Sequence, residues 1–352
     1  MNFEIFWFCV IAFFWAGYFV LEGFDFGVGM LLPFVPRDDA ERGAMFESIG
    51  PVWDGNEVWL VVAGGATFAA FPAWYGTMFS GFYLAFLLIL VCLIIRVVSF
   101  EWREKSKDHR WRHIWMWANT IGSAGIAFVF GVGLSNLLHG VPLDSGGDYI
   151  GNFWNLFTGY TVVGGIAFVL VFAFHGAIYL TLRTSGDLCA RAQTAALRLA
   201  PPAVLVGAGY VIWTVAVAAD QNDKNVFPPA LPAAIAIAAF ALAAVCAYRQ
   251  RSGLSFTLSA VGTLGMVATL FTSLYPRVMV SSPDFANSLT VTGSASAHYT
   301  LAVMTVVAAI CVPALLIYQG WTYHVFRGRV GGEDLTGDTG AATAAPGDSP
   351  AT

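Results

Sequence analysis

Long apolar stretches separated by short polar or proline-containing gaps set the pattern of this chain. Helix-length apolar blocks fall at 4–34, 52–71, 75–100, 113–138, 158–182, 199–219, 230–248, 254–274 and 298–326. Each is near or above the ~20 residues that a helix needs to cross a bilayer core. The blocks are continuous, unlike the ~10-residue alternating segments of an outer-membrane barrel. Polar clusters and prolines mark most of the gaps, from Pro36–Glu47 to Pro276–Pro283, and Pro72 predicts a tight turn between the second and third blocks. The pattern predicts an all-α polytopic membrane protein with nine transmembrane helices in one domain, residues 1–330. The remaining stretch, Gly331 to Thr352, is rich in Gly, Ala, Thr and Pro. It has too little apolar surface to fold and is expected to be a disordered cytoplasmic tail.

Composition independently points the same way. The chain is 57% hydrophobic and 11% charged, against about a quarter charged in soluble domains. A net charge of −5, spread along the chain, excludes the basic footprint of a nucleic-acid binder. The five cysteines are scattered and form no metal-ligand spacing or CxxC pair, so packing is their expected role. The N-terminus lacks a basic leader and small-residue cleavage site, so the first block is expected to be a retained span.

Charge also sets orientation. Arg37 and Arg42, the basic run 103–112, Arg183 to Arg198, Arg249 and Arg251, and Arg327 and Arg329 all fall on one set of alternate connections. That side holds 14 of the 17 Lys and Arg residues, and the other holds only Lys224 and Arg277. The positive-inside rule then puts the N-terminus outside and the C-terminus inside, as an odd number of spans requires. A faint echo between IAFFWAGYFVLEGF (11–24) and IAFVLVFAFHGAIY (166–179) fits an internal duplication of four helices plus four.

Buried charge is the candidate chemistry. VLEGFDFGVGML (20–31) carries Glu22 and Asp25 inside the first block; GPVWDGNEVWL (50–60) carries Asp54 and Glu57 at the start of the second; LIIRVVSFEWRE (93–104) carries Arg96 near the end of the third. The orientation places Asp25, Asp54 and Arg96 together in the cytoplasmic half of the membrane. Each acid pair is three residues apart and shares a helix face. Intramembrane carboxylates usually face a cavity or a partner and often form proton relays. Plainer readings stand beside this one. Asp54 suits the positive end of a helix dipole, Glu22 and Glu57 suit pairing with a neighbour, Arg96 suits snorkelling to headgroups, and Asp25 suits an ion pair with Arg96. Gly17, Gly23, Gly27 and Gly29, and Gly64 with Gly65, are expected to permit close helix approach.

Haem would need His or Met in the apolar layer. Only His175, in FAFHGAIYL (172–180), lies well inside a block. A hydrogen bond from His175 to a backbone or polar neighbour is the favoured role, so no cofactor is assigned to this chain.

Several stretches resemble subunit II of the cytochrome bd-type quinol oxidases. They are LEGFDFGVGMLLPF (21–34), GPVWDGNEVWLVVAGGATFAAFP (50–72), FSGFYLAFLLILVCLIIRVVSFEWR (79–103), GNFWNLFTGYTVVGG (151–165), SLYPRVMVSS (273–282) and 299–329. GFDFGVG followed by WDGNEVW is the most specific pair, and the likeness is weakest in the loops and in 200–260. The resemblance implies two four-helix bundles plus a peripheral helix, in a multi-pass protein of the bacterial cell membrane. It implies a heterodimer with a haem-bearing subunit I, which holds two b-type haems and haem d, oxidises quinol at the outer face and reduces O2 to water. Small single-helix subunits are a further possible partner, and some members hold a structural quinone. Residue by residue, it maps the family's membrane aspartates onto Asp25 and Asp54 and its third-span arginine onto Arg96, with Asp54 best matching the carboxylate of the cytoplasmic proton path. Glu57 and His175 stand where relatives can carry Gln. Two other classes remain open: a secondary transporter without redox chemistry, and a purely structural docking partner whose buried charges form only ion pairs.

Overall fold

The computed structural model describes residues 2–221 and 229–330. The chain is built from helices: α1 (Phe3–Leu31), α2 (Asp39–Ile49), α3 (Trp53–Ala70), α4 (Pro72–Gly81), α5 (Tyr83–Trp102), α6 (His109–His139), α7 (Gly159–Arg183), α8 (Gly186–Gln221), α9 (Ala230–Tyr248), α10 (Ser252–Leu274), the single turn α11 (Val291–Ser294) and α12 (His298–Val325). Among the described residues, eight helices are each long and apolar enough to cross a membrane. The helices α3 and α4, bent by 120° to one another, pass the same test together and make a ninth if the pair is counted as one span. The predicted tail, and Lys224 of the connection used in the charge count, lie outside the described residues.

The turn expected at Pro72 is longer than the sequence suggested. Pro72 occupies the first position of α4, where its missing N–H costs nothing. The next membrane-length helix therefore begins at Tyr83 and not at 75. The sixth span also starts early, at Gly186, and runs on through Pro201 and Pro202.

Helices α1, α3, α5 and α6 form one group and α7 to α10 a second, with α1 packed on α7 between them. These two helices carry the sequence echo, and each opens its group. Their contact depends on glycine: a side chain on Gly27 would run into the carbonyl of Phe172 and the backbone of Gly176. Gly64 and Gly65 do not share this role, since a Cβ at either meets nothing within 4 Å. Packed aromatic rings, including Trp15, Tyr18, Phe19, Phe130, Phe168 and Phe172, fill the seam between the groups.

The basic side is tied by ion pairs. Asp39 of α2 pairs with Arg103 and Arg112, and Glu41 pairs with Arg191 of α8. On the opposite side a small hairpin, β1 (Arg277–Met279) with β2 (Leu289–Thr290), is held to the α6 end by Val141 N–H donating to Val280 O at 3.0 Å. Helix α12 lies at the periphery against α1 and α3. Leu301 and Gln319 are its only buried residues.

Candidate functional site

Four helices converge on one buried polar cluster. The inner stripe of α5 is Ala85, Ile89, Cys92, Arg96 and Ser99, a three-and-four spacing that keeps one face turned inward. Arg96 is consequently fully buried and does not snorkel. Its Nη1 donates to Glu57 Oε1 at 2.9 Å, and its Nη2 stands 3.4 Å from Glu22 Oε2. That second contact has ion-pair distance without hydrogen-bond geometry. The guanidinium also lies over the rings of Phe26 and Phe100, 4.9 and 5.5 Å from their centroids, as cation–π contacts allow.

Asp25, also fully buried, is engaged differently. Its Oδ2 accepts from Asn56 Nδ2 at 2.7 Å. The ion pairs of Arg96 run to Glu22 and Glu57, so the alternative of a direct Asp25–Arg96 pair is not realised. Asn56 Oδ1 in turn accepts from Gln319 Nε2 at 2.9 Å and from the Tyr323 hydroxyl at 2.8 Å. Both Glu22 oxygens, Asp25 Oδ1, Arg96 Nε and the Tyr18 hydroxyl are buried with no hydrogen bond among the described residues.

Asp54 stands apart from this cluster. The inner stripe of α3 is Asn56, Trp59, Ala63, Thr67 and Ala70. At about 100° per residue, a position two before Asn56 falls on the far side of the helix. Asp54 is exposed there, in the first turn of α3, where a negative charge suits the helix dipole. The expected trio of Asp25, Asp54 and Arg96 is corrected on this point: Glu22 and Glu57 hold the places beside Arg96. The Glu57 side chain remains 23% exposed, so it connects the buried cluster to the outer face of α3.

Sequence reasoning passed over Asn56, Gln319 and Tyr323 because none is charged. Gln319 and Tyr323 are four apart, a spacing that puts both on one face of α12, but that helix also carries Thr300, Thr305, Thr322 and His324, so the spacing did not single them out.

His175 is fully buried and fully engaged. Its Nδ1 is 2.6 Å from Ser259 Oγ, its Nε2 is 3.2 Å from Val20 O, and its ring stacks on Phe256 at 4.6 Å. With both ring nitrogens bonded to protein, His175 as placed does not fit a haem ligand. Among the described residues there is also no group of three His, Cys, Asp or Glu side chains able to hold a metal ion. The apolar cavity between α1, α4, α5 and α6, lined by Trp15, Trp74, Phe82 and Phe130 among others, measures about 30 Å³. That is room for about one water-sized molecule.

The profile of one protein family, described as cytochrome bd terminal oxidase subunit II, matches residues 3–326. The chain belongs to the cytochrome bd terminal oxidase subunit II family. It is 38% identical over 329 residues to the cytochrome bd ubiquinol oxidase subunit 2 of Bacillus subtilis, covering 92% of this chain and 96% of that protein. It is 37% identical over 365 residues to the cytochrome bd-I ubiquinol oxidase subunit 2 of Escherichia coli K12, covering 95% and 96%. A chain in the solved structure of the bd oxidase from Geobacillus thermodenitrificans shares the fold, with a TM-score of 0.72 at 18% identity over 93% of this chain and 99% of that one. As a subunit II of a cytochrome bd oxidase, the chain is a multi-pass protein of a bacterial membrane and part of a haem-containing oxidoreductase complex. Family membership does not favour the transporter alternative.

Proposed function

We propose that this subunit II pairs with a haem-bearing subunit I and gives protons a path towards the site of O2 reduction. In this reading subunit I holds two b-type haems and haem d, oxidises quinol at the outer face and reduces O2 to water. Ubiquinol is the donor in the names of the relatives, and small single-helix subunits are a compatible addition. The N-terminus faces outside and the basic side faces the cytoplasm.

One observation carries the reading: a polar line crosses a face that is otherwise apolar. It runs from exposed Asp54 through half-buried Glu57 to buried Arg96 and Glu22, while Val58 and Val61 of α3 and Ile94 and Ile95 of α5, next to these residues in sequence, are exposed. One guanidinium pairs with Glu22 and Glu57, and a third buried carboxyl, Asp25, is held by Asn56. Charges sunk in a low-dielectric interior are costly unless compensated, so the cluster suits groups that take up and release protons. Its unmatched oxygens and nitrogens supply the two to four partners that a relaying water needs. The haem chemistry itself belongs to subunit I.

The ion pairs of Arg96 favour a second, purely structural reading. The two are separated with the complete complex in liposomes. Asp25→Asn and Asp54→Asn are expected to slow O2 consumption and reduce charge separation while leaving the haem spectra intact. Full rates and full charge separation in both variants would overturn the proton role. The complex is expected to show haem b and haem d bands, and this subunit purified alone to be colourless.

A further inference from the structure

The polar face of α12 needs an explanation that helix packing does not supply. Most of this helix is exposed and apolar, including Val306, Ile310, Ile317 and Trp321. At one end it is attached to α1 by Trp7, whose Nε1 donates to Leu301 O at 3.1 Å and to Thr305 Oγ1 at 3.0 Å. At the other end its two inward polar groups, Gln319 and Tyr323, reach the same atom, Oδ1 of Asn56.

A carboxamide is nearly symmetric in shape but not in chemistry, because one arm only accepts and the other only donates. Two donors on Oδ1 fix which way the Asn56 amide faces. They commit Nδ2 to Asp25, with a second, longer contact to Leu21 O at 3.5 Å. We infer that Gln319 and Tyr323 are positioning residues for Asp25, acting through Asn56, so that the peripheral helix sets the hydrogen bond on the buried acid. This inference rests on the reading of Asp25 as a proton-handling group. The ionisable side chains around it are Glu22 and Tyr18 on α1, Glu57 on α3, Arg96 on α5, Tyr179 on α7 and Tyr323 itself. Of these, only Tyr323 bonds to the amide that holds Asp25.

Without the two donors the Asn56 amide is free to turn, and Asp25 loses a fixed partner. One such hydrogen bond corresponds to about a fivefold effect. The test uses the intact two-subunit complex with Tyr323→Phe and Gln319→Met, which keep the volume and remove the donors. Both variants are expected to keep normal haem content and to slow O2 consumption about fivefold. Both are also expected to move the carboxyl infrared bands of Asp25, identified as those lost in Asp25→Asn. In the Asp25→Asn background neither is expected to slow turnover further, because coupled sites are not additive.

Wild-type turnover with unmoved bands overturns the inference. So does slow turnover with unmoved bands, or failure of both variants to assemble, which assigns the contacts to helix attachment. Wild-type turnover of Asp25→Asn itself would remove the proton reading, and this inference with it. A slow Asp25→Asn beside fast Tyr323→Phe and Gln319→Met removes the positioning role alone.

Discussion

The two helix groups each bury a polar centre beside α1, and the two centres are satisfied in opposite ways. In the second group His175 has both ring nitrogens bonded, to Ser259 and Val20 O, and a stacked partner in Phe256. In the first group Glu22 and Glu57 share one guanidinium, Asp25 is buried beside them without a pair to it, and several carboxyl oxygens have no hydrogen bond among the described residues. A fully matched polar centre fixes a fold. An unmatched one raises the energy of a site and needs a further reason to exist. The contrast fits a structural role for the His175 centre and the proton role proposed for the Arg96 centre.

The hardest test of that contrast is Arg96→Leu. It leaves Glu22 and Asp25 buried without a cation, at a cost of about 3–5 kcal/mol. The complex is expected to fail to accumulate in membranes, and Glu22→Gln in the same chain to restore part of it. Full accumulation of Arg96→Leu would show that the cluster is not held by charge compensation. Next in size is Gly27→Val, which forces α1 and α7 apart at the seam between the groups. Overpacking of this kind costs about 1–3 kcal/mol, read as a lower thermal midpoint of the purified complex.

His175→Ala is expected to cost about 1–3 kcal/mol by leaving Ser259 and a cavity behind. His175→Gln is expected to retain most of the stability, and both variants to leave the haem spectrum unchanged. A lost haem band in either would reverse the assignment of that centre. The smallest effect on stability is expected for Asp54→Asn. An exposed group at a helix start is worth about 0.3–1 kcal/mol, so the thermal midpoint should barely move. Any substantial change in O2 consumption by this variant would then report on proton entry and not on folding.

Much of the fold was legible because it follows from solubility of the chain in lipid. Apolar blocks of the right length, broken at Pro142, Gly186 and Pro276, identify spans whatever their neighbours are. The break at Pro72 was legible as a break but not as a separate helix, because a ten-residue turn of helix carries the same apolar composition as the spans on either side. Within the site, Glu22, Asp25 and Arg96 stood out because charge is rare in such blocks. Asp54 stood out for the same reason, yet charge alone does not say which side of α3 it occupies. Asn56, two residues on, takes the inward place. Gln319 and Tyr323 were invisible for the converse reason: an uncharged polar residue in an apolar helix has no distinctive signal until its partner is known.

Sequence by itself determined the class of this protein, its helix-rich architecture and the family likeness, since hydropathy and motif spacing are properties of the chain alone. Tertiary structure decided which carboxyls meet Arg96, that His175 is engaged on both nitrogens, and that the last helix reaches Asp25 through Asn56. Those outcomes depend on helix rotation and on contacts between residues as much as 267 positions apart. A rotation of about 100° per residue turns a neighbour in sequence into a stranger in space.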